Sequence, residues 1–446
     1  MKRLANSTFH KYRIGDHKYY LETKDIAYGK VKEYEAVQLA NLNRLLDHAY
    51  RNTAYYGKGL SKFTVNGSVT LNDVRELKQF PILTKDDVRA NGEDLYSKDH
   101  VSRCSLVNTS GGSTGAPIKV LQDKYYGQSG SGAFLFVKEL RTGDPYSDVV
   151  RLWGAHRDQY GGKNSMSGYM KEYVNNTKLF NSAKLTPESI QEFVTHINKH
   201  RPSMILAYVQ SIYEVAVFAK ANGLEVLPQK SIHTGAGKLY PFMRELIEEV
   251  FSTKVFDHYG GREFGAVATE CGQGSGMHVL GHQRIVEILD EDGNECPPGK
   301  EGDVILTVLN NFSMPLIRYK VGDRAVWSDK NECACGIVFP KIEKIVGRTA
   351  NNFPLANGGF VSGEYLTLTF NHVPGIGNFQ IRQKSYEEIQ IFLIIEDNYD
   401  KKTETKISDK MRKLFGTEAT VDFIYVDAIP KTPTGKHLFT VSEIIN

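Results

Sequence analysis

The stretch Val107–Lys119 reads VNTSGGSTGAPIK. Glycines let successive backbone N–H groups converge on an anion, and serine and threonine hydroxyls add further donors. It is not the P-loop pattern, which places Gly-Lys-Ser/Thr after a four-residue gap. Read alone, the same composition describes a mobile surface loop. What sets it apart is an answering run near the other end, Pro430–Lys436, PKTPTGK, which delivers one lysine on a short tether ten residues before the C-terminus. A loop able to wrap phosphates and a distant lysine able to reach them form two halves of one anion-handling arrangement.

Outward from the loop, residues 100–270 alternate apolar β-type runs (VVRLWG, SMILAYV, KSIHTGA, KVFDHYG) with helical ones (TPESIQEFVTHINKH, SIYEVAVFAKANG, YPFMRELIEEVF). The alternation predicts stacked βαβ units and an α/β fold. Thr186-Pro187-Glu188 reads as an N-cap followed by proline in the first helical turn, and Thr84 as the cap of the run after it. Upstream, VKEYEAVQLANLNRLLDHAY carries apolar residues at helical spacing. From about 278 to 347 the pattern turns to strands, and RIVEILDEDGNECPPGKEGDVILTVLN predicts a β-hairpin or small β-subdomain. After Arg348 the order is loop, helix (GEYLTLTFNHV), strands (FQIRQ, EIQIFLIIE), charged helix (KKTETKISDKMRKLF) and strand (TVDFIYVDAIP). The expected organisation is a large N-terminal domain, 1–347, and a small mobile α+β domain, 348–446.

The chain of 446 residues is long enough for two or three domains. Its 55 basic and 52 acidic residues are intermixed and leave a net charge of +3, which gives no reason to propose nucleic acid or an anionic membrane as partner. The N-terminal run MKRLANSTFHKYRIGDHKYYLETKD has no apolar core of a secretory signal, and no apolar run approaches the roughly 18 residues of a spanning helix. A cytoplasmic protein without membrane insertion is the expectation. Five cysteines do not make a disulfide framework. Cys271 and His278 are separated by six residues, and Cys333-Ala-Cys335 follows after 54 more. Three cysteines and a histidine suit a tetrahedral structural zinc site, with reduced buried thiols as the alternative. Cys104 and Cys296 have no evident partner.

Two further segments carry chemistry. His258-Tyr-Gly-Gly-Arg-Glu-Phe-Gly265 follows an apolar run, and an acidic residue just beyond a strand end in an α/β fold sits where ligands bind. It reads equally as a strand-to-helix turn with a solvated Arg-Glu pair. Arg318-Tyr-Lys-Val-Gly-Asp323, followed by Val346-Gly-Arg348, offers a carboxylate and an arginine suited to ribose hydroxyls, or an Asp in a β-turn and an exposed Arg.

Taken together and in this order, the segments resemble the adenylate-forming superfamily of acyl-CoA synthetases, peptide-synthetase adenylation domains and luciferases. The resemblance is closest to the branch of phenylacetate–CoA ligases and their capsule-biosynthesis relatives. LNRLLDHAYRNTAYYGKGL and FPILTKDDVRANGEDL match that branch's opening segments, so the likeness runs from about residue 35 to the end. It implies that Thr109, Ser110, Gly111, Gly112, Ser113, Thr114 and Gly115 wrap the β- and γ-phosphates of ATP. Gly235, Ala236 and Gly237 would line the adenine, with Tyr259 and Gly260 beside the base. Glu263 would bind magnesium (Mg2+), Asp323 and Arg348 the ribose, and Lys436 would neutralise charge as the substrate carboxylate attacks the α-phosphate. Trp153, His156, Tyr208 and Ser211 fall where relatives line the acyl pocket, though each reads equally as core or loop. Many relatives also carry cysteines at the points noted above, which favours zinc (Zn2+) on Cys271, His278, Cys333 and Cys335.

The activity implied is ATP-dependent conversion of a carboxylic acid to an acyl-adenylate, then transfer to a thiol or amine, with coenzyme A the expected acceptor. A coenzyme A-independent amide-forming ligase and a nucleotide-binding scaffold without turnover are the alternatives. The acid, and whether the chain is a homodimer, stay open. Two departures stand out: Ala350 replaces the usual hinge acid, and Arg262 replaces the usual hydroxyl before the magnesium-binding glutamate.

Overall fold

A computed structural model describes residues 15–109, 118–153, 176–182, 185–273, 276–330, 332–348, 353–356, 360–361, 363, 366–367, 370, 373–430 and 437–444. The chain divides into two compact units, a large one drawn mainly from residues up to Ile345 and a small one mainly from Val346–Asn446.

In the large unit, helix α1 (His17–Ala27) precedes the long α2 (Val31–Asn52), whose Leu42, Leu45, Leu46 and Ala49 are buried at helical spacing. Two short helices follow, α3 (Ala54–Gly59) and α4 (Lys85–Asn91). Thr84 caps α4 reciprocally: its hydroxyl accepts from the Asp87 amide at 3.1 Å, and the Asp87 carboxylate accepts from the Thr84 amide at 2.8 Å. Strands β1 (Leu106–Thr109) and β2 (Lys119–Gln122) pair antiparallel, Thr109 opposite Lys119, on either side of the glycine-rich run. Helix α5 (Lys124–Thr142) starts at once, its N-cap Asp123 accepting from the Tyr126 amide.

The expected α/β layer is present. Strands β3 (Val149–Trp153), β4 (Thr177–Asn181), β5 (Met204–Tyr208), β6 (Ile232–Gly235) and β7 (Val255–Phe256) form one parallel sheet in the order β4-β3-β5-β6-β7. Helices α6 (Pro187–His200), α7 (Val209–Ala221) and α8 (Pro241–Phe251) connect them. Thr186 and Pro187 start α6 as the sequence predicts. Strand β4 was not anticipated, because TKLFN is short and mixes a lysine and an asparagine into its apolar pattern.

The alternation ends sooner than residue 270. Strands β8 (His258–Gly261) and β9 (Gly265–Glu270) form an antiparallel hairpin and join β10 (Met277–Val279), β11 (Arg284–Leu289), β12 (Glu301–Val308), β13 (Tyr319–Trp327) and β14 (Lys341–Arg348). This seven-stranded sheet has the order β11-β12-β13-β14-β10-β9-β8, so the β-region opens at His258 and not near 278. The motif His258–Gly265 is therefore a strand-to-strand turn and not a strand-to-helix one. The expected β11–β12 hairpin is present, in register from Arg284 opposite Val308 to Leu289 opposite Asp303.

In the small unit, β15 (Phe353–Pro354) pairs with β16 (Phe360–Val361). Strands β17 (Ile376–Gln383), β18 (Glu388–Ile395), β19 (Thr420–Tyr425) and β20 (Thr440–Ser442) form a sheet in the order β19-β18-β17-β20. Helix α9 (Lys402–Phe415) lays Ile407, Met411 and Phe415 against Ile381, Ile389, Ile391 and Leu393. Most of GEYLTLTFNHV lies outside the described residues. Among the described residues no helix is long and apolar enough to cross a membrane.

One buried ion pair ties the early segments to the large sheet. Arg318 is 4 % exposed. It donates to both carboxylate oxygens of Glu287, at 3.1 and 2.8 Å, and to the carbonyls of Lys78 and Phe80 at 2.9 and 2.5 Å. Its φ of +50° is a left-handed conformation that an arginine adopts only when its surroundings over-determine it. Burial pushes the Glu287 carboxyl up, and the facing guanidinium opposes that shift. Removing either partner leaves a buried charge unpaired. Arg318→Met and Glu287→Leu are each expected to lower the unfolding free energy by about 3–5 kcal/mol. The double variant should lose much less than the sum of the two, measured by urea denaturation.

Candidate active site

The parallel strands deliver their carboxyl ends to one edge, where ligands of open α/β sheets bind. Trp153 ends β3, Tyr208 ends β5 and Gly235 ends β6, with Tyr208 in register with Gly235. The Trp153 and Tyr208 rings touch, their centroids 4.1 Å apart. Beyond Gly235 the chain turns through Ala236 at φ +63°, an unusual conformation for a residue with a Cβ. Gly237 follows beside Val209 of α7. Ser211, one turn into α7, is buried.

The β8–β9 turn is shaped by what surrounds its glycines. Gly265 has φ +71°, and a side chain there would run into the Tyr126 hydroxyl and the Arg284 guanidinium. Phe264 folds back over Gly261, leaving no room for a Cβ. Between them Glu263 is 8 % exposed. Its carboxylate makes no hydrogen bond or ion pair among the described residues. The turn is fastened to the glycine-rich hairpin: Gln122 Nε2 donates to the Arg262 carbonyl at 2.6 Å and Asn108 Nδ2 to the same oxygen at 3.3 Å. Asn108 also donates to Gln122 Oε1 at 3.1 Å. Thr109, the next residue, has a buried hydroxyl without a hydrogen-bond partner. The base of the loop and Glu263 thus share one hydrogen-bonded junction. Tyr259 is buried in the core beside Phe264.

Buried titratable groups stand behind this turn. Asp257 accepts from the His258 amide at 2.9 Å and the Thr234 hydroxyl at 3.2 Å, and burial followed by the nearby Glu270 pushes its carboxyl up to about 7. Burial, aided by Arg141, brings His258 down to about 4. His233 falls well below the usual histidine range, through burial and then His258 and Arg141. Both imidazoles are neutral at neutral pH, and Nδ1 of each is buried without a partner. Arg284, 1 % exposed, is held by the Gln283 carbonyl and Asn310 Oδ1 and faces the Tyr126 ring.

Asp323 lies on β13, not in a β-turn, and Arg348 ends the neighbouring strand β14. The Arg348 side chain, Ser110, Gly111, Gly112, Ser113, Thr114, Gly115, His156, Ala350 and Lys436 lie outside the described residues. The reading of the sequence passed over Asn108 and Gln122. Their signal was position alone, one polar amide on each strand flanking the loop. It passed over Arg151, Asp257 and Arg284 because a charge inside an apolar strand run shows no partner in one dimension.

The cysteine set converges. The ligand atoms of Cys271, His278, Cys333 and Cys335 all lie within 4.8 Å of one another. Cys271 and Cys333 sulfurs are 3.5 Å apart, and Cys335 Sγ is 3.3 Å from His278 Nε2. Two thiolates at about 2.3 Å from a tetrahedral zinc would sit about 3.8 Å apart, close to the spacing found. His278 Nδ1 is 3.0 Å from the Phe339 carbonyl, an arrangement that fixes the ring and leaves Nε2 for a metal. Cys104 is exposed and Cys296 buried, and no disulfide links the described cysteines.

Comparison with known proteins agrees with this architecture. Residues 354–443 match the family model of the CapK C-terminal domain. The whole chain aligns with protein CapK of Staphylococcus aureus, 24% identical over 456 residues, covering 100% of this chain and 96% of that protein. Phenylacetate-coenzyme A ligase of Aromatoleum evansii is 28% identical over 306 residues, 65% of this chain and 66% of that one. Among solved structures, 2-hydroxyisobutyryl-CoA ligase in the postadenylation state, in complex with 2-HIB-AMP, superposes with a TM-score of 0.75 at 17% identity, covering 94% of this chain and 92% of that chain. In sequence the chain is thus similar to CapK and to the phenylacetate–CoA ligases, and its fold is that of 2-hydroxyisobutyryl-CoA ligase.

Proposed function

We propose that this protein activates a carboxylic acid with ATP, releasing pyrophosphate and forming an acyl-adenylate, and then passes the acyl group to coenzyme A. The observation that carries the reading is the junction of Asn108 and Gln122 with the Arg262 carbonyl, which holds the unpaired Glu263 carboxylate beside the base of the glycine–hydroxyl loop. Nucleotidyl transfer needs positioning and charge compensation more than covalent help from the protein. A largely buried glutamate with no cation of its own, on a turn bonded to the hairpin that carries a buried, unpartnered threonine hydroxyl, is the kind of donor set a ligand would complete. Glu263 would hold magnesium, whose chemistry is to bridge and screen phosphate oxygens. Thr109 would donate to a phosphate, Gly235 to Gly237 would line the base, and Asp323 with Arg348 would meet the ribose. Lys436 would supply the positive charge at the α-phosphate.

A second reading, transfer to an amine without coenzyme A in capsule or cell-surface polysaccharide biosynthesis, shares the adenylation step and differs only in the acceptor. Thioester formation with coenzyme A and no added amine would decide against it. Cys271, His278, Cys333 and Cys335 would hold a structural zinc that pins the end of β9 and strand β10 to the loop before β14, with all four positions filled by protein.

Lys436→Ala is expected to cut ATP–pyrophosphate exchange by about 10²–10³-fold while leaving the circular dichroism spectrum unchanged. Unchanged exchange would refute the role of the lysine. Glu263→Gln should lower exchange and raise the magnesium concentration for half-maximal rate, read from a metal titration of the same assay. Metal analysis of the purified chain should find one zinc per chain. Cys333→Ser should lose it and lower the melting temperature.

A further inference from the structure

We infer that the acid activated at this site carries a second anionic group, and that Arg151 receives it. The inference rests on the adenylate reading above and adds the substrate's class. Arg151 sits in the middle of β3, one strand pleat below Trp153, about 6.6 Å deeper along the strand. Val149, Arg151 and Trp153 share the face that carries Met204, Leu206 and Tyr208 of β5, as the register and the packing of Val149, Met204, Leu206, Phe134 and Trp153 require. The strand ends give an upper row, Trp153, Tyr208 and Gly235; the row beneath is Arg151, Leu206 and His233.

Arg151 is out of place in an interior strand of a parallel sheet. Its guanidinium lies over the Trp153 ring at 5.6 Å, and its Nε is buried without a hydrogen-bond partner. Among the described residues no carboxylate pairs with it. A half-buried guanidinium left unpaired is costly, and its planar fork matches a carboxylate with two parallel hydrogen bonds. The same row holds His233, 1 % exposed, with Nδ1 buried and unpartnered. A row with a fixed cation and a neutral imidazole, one pleat beneath two touching aromatic rings, suits an acid with an anionic far end. It does not suit a plain hydrocarbon or phenyl tail. The reacting carboxylate would lie at the upper row, toward Gly235 and the nucleotide, and the second anion below, against Arg151.

The test uses the full chain and matched acids: butyrate against succinate, hexanoate against adipate, phenylacetate against 4-carboxyphenylacetate. Wild-type ATP–pyrophosphate exchange should favour the diacid in at least one pair by about tenfold or more in kcat/KM. Arg151→Gln should abolish that preference, chiefly through KM, with a far larger loss for the diacid than for the matched monoacid, and Arg151→Lys should restore part of it. Monoacids preferred throughout, or equal losses for both members of a pair, would overturn the inference. Calorimetric titration of each acid into wild type and Arg151→Gln gives an answer independent of turnover. Diacid binding that depends on Arg151 supports the assignment even if no acid drives exchange, a result that would count against adenylation instead. Diacid affinity unchanged by Arg151→Gln would overturn it.

Discussion

One carbonyl oxygen organises the candidate site. The Arg262 carbonyl takes amide donors from Asn108 and Gln122, and through it two pieces of chain separated by about 140 residues act as one. A glycine–hydroxyl loop has little to fix its place by itself, because glycine contributes no side chain to pack. Here its stem is a two-stranded hairpin whose polar edge is spent on a neighbouring turn. The turn gains as well: Glu263 can stay buried without a cation because the backbone around it is pinned by bonds that do not involve its carboxylate.

Burial is used in two ways around this junction. Arg318 and Glu287 are buried and mutually satisfied, and they stabilise the frame. Arg151, Glu263, His233 and the Thr109 hydroxyl are buried or half-buried and unsatisfied, and they cluster at or just below the carboxyl ends of the parallel strands or at the turn beside them. Unsatisfied polar groups are rare in folded proteins because each costs free energy. Other unpartnered buried polar atoms are scattered through the large unit, at Arg103, Gln229, Ser231 and His282 among others, so these are singled out by their place at the strand ends and the adjoining turn.

Much of this was legible in the sequence. The βαβ alternation, the caps at Thr84 and Thr186 and the β11–β12 hairpin all follow from period and turn chemistry, which are local. The resemblance in motif order pointed to the superfamily before any coordinates. What escaped was non-local. HYGGREFG reads as the end of a parallel strand, yet the chain pairs back on itself with Gly261 opposite Gly265 in an antiparallel hairpin, and the space at Gly265 is closed by Tyr126 and Arg284, residues far away in sequence. Strand β4 and strand β20 are too short to announce themselves and form because a neighbouring strand offers them a ladder. The cysteine set was visible as spacing, but only the fold brings four ligand atoms within 4.8 Å.

The crowding at Gly265 bears on how this turn can diverge. Position 262 contributes its backbone oxygen, so many side chains could occupy it without disturbing the junction. Position 265 has no such latitude: even a methyl group would have to displace the hydroxyl of a half-buried tyrosine and a buried guanidinium. The turn is therefore open to changed chemistry at 262 and closed to added bulk at 265.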